Sequence, residues 1–240
     1  VVVAGATVVM LAFVARVQVA ESATTAHRRL AVDLLRIRPF AGAVVLGAAV
    51  YVKFGSFDAL WALVHSDLAT KKWVANLRIT LFALPLIVLG PIGGRWAQVN
   101  GPFKVAVAGL IAGAICMSLY GVMPTGGLVF AVAMLHAISD GFTGSSTGVA
   151  VGMTVPEDRQ AGAQGVLGGA QALSAGVMAV VTGTLYDQFG RTVAYAVCGS
   201  VMLVFVATGA WLARSAWSLN RPLHVDGPIG SEPSPVPSTN

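Results

Sequence analysis

Lys53 and Asp140 are the residues whose types and positions could do chemistry. Each lies about midway along an apolar run, "AGAVVLGAAVYVKFGSFDALWALV" and "GLVFAVAMLHAISDGFTGSSTGVAVGM". An ionisable side chain at the centre of a bilayer costs about 2.5–3.5 kcal/mol even on a lenient insertion scale. Two opposite charges at matching depth can neutralise one another. A proton on Asp140, or an incoming anionic group, would break such a pair and supply the differential energy that a conformational switch requires. The plainer alternative is a static structural pair, or a lysine that snorkels to water. His136 precedes Asp140 by four residues, which puts both on one helix face. It could pass a proton to Asp140, because histidine titrates near physiological pH, or simply hydrogen-bond within a wall.

Other candidates are read beside their bland counterparts. Asp58 and Arg78 fall on successive runs joined by a short connection, so they could form a cross-hairpin ion pair or an outer gate. Glu157, Asp158 and Arg159 cluster at a junction. There the acidic pair favours the positive end of the following helix, as a solvated cap or an inner salt bridge. "GSSTG", Gly144 to Gly148, matches G-x-S-x-G with Ser146 as the would-be nucleophile and His136 and Asp140 as partners. That motif means hydrolase only on a strand-turn-helix elbow, and here it lies inside an apolar run, so no catalytic residue is expected. Gly162, Gly165, Gly169 and Gly176 share a helix face at spacings that let another helix approach closely.

These residues need elements to hold them at depth. The 240-residue chain is 56% hydrophobic and only 10% charged, with mean hydropathy +0.77. A soluble domain is nearer a quarter charged, so the fold class is all-α integral membrane. Long continuous apolar runs fit helices better than a barrel, whose strands alternate. The spans read as 41–64, 74–92, 105–123, 127–153, 164–185 and 193–212. Together they make a six-helix bundle over 41–213. Residues 1–14 read as the end of a further, partial helix, and 15–40 as a basic amphipathic linker helix on the membrane surface. Residues 214–240, ending in "SEPSPVPSTN", read as a disordered tail. Lys53 is then twelve positions into its span and Asp140 thirteen into its own, on helices running in opposite directions. At about 1.5 Å per residue both reach the midplane. Pro85 and Pro91 are expected to bend or end the second span.

Arg16, Arg28, Arg29, Arg36, Arg38, Arg95, Lys104, Arg159, Arg214 and Arg221 fall on one side of this arrangement; Lys71, Lys72 and Arg191 fall on the other. The bias places the linker and tail in the cytoplasm. Trp61 and Trp73 would then mark the outer interface, and Trp96, Trp211 and Trp217 the inner one. Anionic membrane lipids, not nucleic acid, are the partners of these cations. Cys116 and Cys198 sit in separate runs and read as buried thiols. No cluster has metal-ligand spacing and no P-loop occurs, so neither metal nor cofactor is expected.

"GPIGGRWAQVNGPFK", Gly90 to Lys104, reads as a tight cytoplasmic turn, with Gly94 and Arg95 in it. It also resembles the "G-x-x-x-D-R-x-G-(x)-K/R" loop signature of the major facilitator superfamily. Gly94 and Gly101 hold the glycine places and Lys104 a basic place, while Gln98 and Val99 replace the acidic and basic pair. "VPEDRQAGAQGVLGGAQALSAG" resembles that family's loop between helices ten and eleven, and "GTLYDQFGR" the turn between eleven and twelve. "SFDALWALVHSDL" and "LRITLFALPLIVLGPIGGRWA" look like helices seven and eight of drug-efflux-like bacterial members. The resemblance implies a C-terminal half, helices seven to twelve with the end of six. It further implies proton-coupled efflux of a small organic molecule across the cell membrane, beside an N-terminal six-helix half. The alternatives are a non-transporting fragment or accessory subunit and, third, the intramembrane serine hydrolase.

Overall fold

The computed structural model describes residues 31–218, apart from the side chains of residues 75, 78, 79 and 80. The expected helix end at 1–14, the linker up to residue 30 and the tail beyond residue 218 lie outside the described residues. A 3-10 helix, Ala31–Arg36, leads into α1 (Arg38–Asp67), followed by α2 (Lys72–Asn100), α3 (Pro102–Val122), α4 (Gly126–Thr143) and α5 (Ser146–Thr154). A 3-10 turn, Glu157–Arg159, then opens α6 (Gln160–Leu212), and a last 3-10 turn covers Arg214–Ala216. Among the described residues there is no strand.

Lipid offers no hydrogen-bond partners, so an apolar segment must satisfy its own backbone, and a helix does so within one segment. The starts are written locally. Prolines occupy the first turns of α1 and α3, where the missing N–H costs nothing. Thr125 caps α4 by accepting from the Leu128 amide at 3.3 Å. Among the described residues five stretches are long and apolar enough to cross a membrane, the last being Glu157–Leu212. That stretch bends at Gly190, where φ 79° and ψ 177° leave the helical region. The arms 160–189 and 191–212 are then ~45 Å and ~33 Å long, each enough for one crossing. Counted with both arms, six segments among the described residues are long enough to cross.

α1 is the central helix: 72% of its most apolar window is buried, against 11% for Leu81–Asn100 of α2. It packs chiefly on α6. A Cβ added at Gly55 would overlap the backbone of Ala175, so the two helix backbones touch there. Thr192 Oγ1 donates to the Gly121 carbonyl at 2.8 Å, and the Arg191 guanidinium donates to the carbonyls of Gly121 and Met123 at 3.2 and 2.7 Å. These bonds satisfy the end of α3 and fasten it to the Gly190 corner.

Several expectations are corrected. α2 does not end at Pro91 but runs to Asn100, so Gly94, Arg95 and Gln98 are helical and only Gly101, at φ 93°, makes the turn. Helix persists through Gly93 and Gly94 because they pack against α4 and Ser145, with the Gly93 backbone on that of Phe142. Asn100 lends its amide to the Trp96 carbonyl at 2.9 Å instead of taking up positive φ. The span 127–153 is interrupted at Gly144 and Ser145 between α4 and α5, where two weak helix formers meet. Trp61 is buried, its ring 5.0 Å from Phe57 and 4.2 Å from His65. It belongs to the core, whereas Trp73, Trp96 and Trp211 are exposed. The bundle begins at Arg38 rather than 41. The described end of the linker is 3-10 rather than α, with Leu34 buried in the core. Ala216 is also buried, so 214–216 packs on the bundle instead of starting a free tail.

Candidate functional site

In a helix each side chain leans toward its own N-terminus. α1 and α3 run one way and α4 the other, so Lys53 and Tyr120 lean to meet Asp140 and His136. Lys53 Nζ donates to Asp140 Oδ1, and the two side chains are only 4% and 3% exposed. The ammonium also lies 5.2 Å from the centre of the Phe54 ring, a favourable cation–π arrangement. His136 Nε2 faces the same carboxylate oxygen at 3.7 Å, and its Nδ1 is 2.9 Å from the Tyr120 hydroxyl. The expected shared face of His136 and Asp140 is present.

The surroundings are close-packed. Phe57 sits with its ring 5.1 Å from Tyr120 and 6.4 Å from His136. A Cβ at Gly113 would lie 3.2 Å from His136 Nε2, 3.4 Å from the Met202 methyl and 3.6 Å from Lys53 Cδ. The site is thus walled by α1, α3, α4 and the 191–212 arm. The charges meet, and side chains enclose them. Open grooves lie elsewhere. One of about 550 Å³ runs between α2, α3 and α4, with Ile92, Trp96, Ala112 and Phe142 in its walls. Another, about 440 Å³, adjoins His65, Thr70 and Lys72 at the turn after α1. Cys116 and Cys198 are free and buried. Among the described residues no group of His, Cys, Asp and Glu could hold a metal ion.

The other candidates are not brought to this centre. Asp58 is exposed on α1, and the side chain of Arg78 lies outside the described residues, so the expected pair cannot be drawn. Ser146 is buried at the start of α5, ten residues beyond His136. That separation is ~15 Å along helices, so no nucleophile–base pair forms and the hydrolase constellation is not assembled. Arg159 makes a two-pronged bond to Asp33 at 2.7 and 3.1 Å, which ties the 3-10 helix to the start of α6. Glu157 and Asp158 stay in the exposed turn. Lys104 is exposed in the first turn of α3. Most of the glycine face is open among the described residues: a Cβ at Gly165, Gly169 or Gly176 would meet open space, and only Gly162 is approached closely, by Ala31.

Tyr120, Gly113 and Asp33 went unread in the sequence. Tyr120 carried one signal, a phenol inside an apolar run, which when buried normally finds a hydrogen-bond partner. Gly113 and Asp33 carried none, since their roles depend on what a distant segment places against them.

A bundle of crossing helices around a buried, hydrogen-bonded ion pair defines a multi-pass α-helical membrane protein with an intramembrane polar centre. The model of the Major Facilitator Superfamily matches residues 40–237, and the chain belongs to that family of membrane transporters. A comparison with curated proteins finds no match.

Proposed function

We propose that this chain acts as one six-helix half of an alternating-access secondary transporter, and that the Lys53–Asp140 pair is its coupling element. The observation that carries the reading is that pair: two opposite charges on α1 and α4, almost wholly buried, at matching depth. A proton arriving on Asp140 would release Lys53 and remove the attraction that joins α1 to α4. Two packings with different pair energies are what alternating access needs. The finer reading is proton-coupled efflux of a small, largely apolar organic molecule, as in the drug-efflux-like members that the helix-seven and helix-eight stretches resemble. The basic side of the bundle is read as cytoplasmic, and the membrane as the cell membrane.

A second reading keeps the chain as an accessory subunit that does not transport by itself. The open glycine face of the 160–189 arm suits an N-terminal six-helix half in either case. Both readings expect that partner, and the transport assay separates them. The assay uses proteoliposomes holding this chain with its partner half, an imposed pH gradient, and ethidium and carboxyfluorescein as lipophilic cation and anion. Asp140→Asn is expected to cut gradient-driven movement about tenfold or more, the scale of ~1.4 kcal/mol of coupling. Undiminished transport by that variant would overturn the proposal.

A further inference from the structure

We infer that Tyr120 is a positioning residue for the intramembrane pair. Its hydroxyl fixes the tautomer of His136, so that the imidazole presents Nε2–H, not a bare nitrogen, to Asp140. The inference rests on the Lys53–Asp140 reading for its functional meaning, but its geometry stands separately.

A neutral imidazole has one N–H and one lone pair. His136 has two neighbours of unlike character. On its Nδ1 side the Tyr120 hydroxyl, 2.9 Å away, can donate or accept. On its Nε2 side lies Asp140 Oδ1, 3.7 Å away, and a carboxylate oxygen can only accept. If Nδ1 carried the proton, the Nε2 lone pair would point toward a carboxylate oxygen inside a low-dielectric bundle, where repulsion is poorly screened. If Tyr120 donates to Nδ1, the proton resides on Nε2 and both contacts are favourable. The ring cannot evade the choice by turning. His136 is 2% exposed, Phe57 packs on it edge to face, and even a Cβ added at Gly113 would lie 3.2 Å from Nε2.

The consequence is a carboxylate that faces two N–H groups of different kinds, the Lys53 ammonium in a hydrogen bond and His136 Nε2–H at 3.7 Å, beyond hydrogen-bond length. Lys53 arrives from α1 and leaves when α1 and α4 separate. His136 rides on the same helix as Asp140 and stays with it. Tyr120, from α3, keeps the His136 donor turned the right way throughout. Of the two readings of His136, a proton relay or a histidine hydrogen-bonded within the wall, this arrangement is the second, with Tyr120 as its partner. The wall residue Tyr120 enters the mechanism although it touches neither charge of the pair.

The test uses the full chain in bilayers, with 15N-labelled histidine and solid-state NMR, in which protonated and bare ring nitrogens resonate far apart. The His136 signal is identified by its disappearance in His136→Gln. A single Nε2–H form is expected in the parent, and a mixture of both tautomers in Tyr120→Phe. A parent His136 protonated at Nδ1, or an unchanged spectrum in a folded Tyr120→Phe, would overturn the inference. The parent spectrum decides even where that variant does not fold. Failure here with Asp140→Asn inactive in transport would sink Tyr120's role alone. A fixed tautomer with Asp140→Asn fully active would instead sink the coupling reading.

Discussion

Lys53→Met keeps the length and bulk of the stem while deleting the ammonium. Asp140 is 3% exposed and Oδ2 has no hydrogen-bond partner among the described residues. The carboxylate is then left with one distant donor, His136 Nε2. At ordinary hydrogen-bond separation and an effective dielectric near 20, the lost attraction is ~6 kcal/mol. Desolvating both ions offsets part of that when the pair is intact, so the net cost of breaking it is about 3–5 kcal/mol. Lys53→Met/Asp140→Leu removes both charges and both desolvation penalties, and should return to within ~2 kcal/mol of the parent. Reversible unfolding in bicelles measures all three proteins. The reasoning fails if Lys53→Met alone stays within ~1 kcal/mol of the parent, or if the double variant is no better than the single one.

Gly55→Val forces β-branched bulk into the Ala175 backbone and should cost about 3 kcal/mol or more in the same unfolding measurement. Gly169→Leu faces open space, so it should leave the bundle's own unfolding nearly unchanged while abolishing co-purification with a partner half. Gly190→Ala places a Cβ at φ 79°, ψ 177°, a region nearly reserved for glycine. A loss of about 1–3 kcal/mol is expected, and an unperturbed unfolding curve would show that the corner is not fixed as described.

Hydropathy reading found the helical class, because in lipid the element type is forced by the solvent, and it paired two charges that do meet. Counting twelve residues to Lys53 and thirteen to Asp140 put the charges level without any knowledge of packing. It failed where packing overrides composition. Gly90 to Asn100 reads as a turn from its glycines and its polar residues, yet stays helical because Gly93 lies on Phe142. Trp61 reads as an interface marker but is held inside by Phe57 and His65. The glycines with spacing fit for close packing face open space, whereas Gly55 and Gly93, which do touch backbones, form no such series. Tyr120 was out of reach for a related reason: its partner lies sixteen residues away on the next helix, at an offset set by the turn 123–125.

The corner at Gly190 carries a mechanical meaning. One residue reverses the chain between two membrane-length rods, and Arg191 and Thr192 rivet that bend to the tip of α3. Torque applied to the glycine-lined arm is therefore delivered through the bend to the 191–212 arm and α3, both of which wall the ion pair.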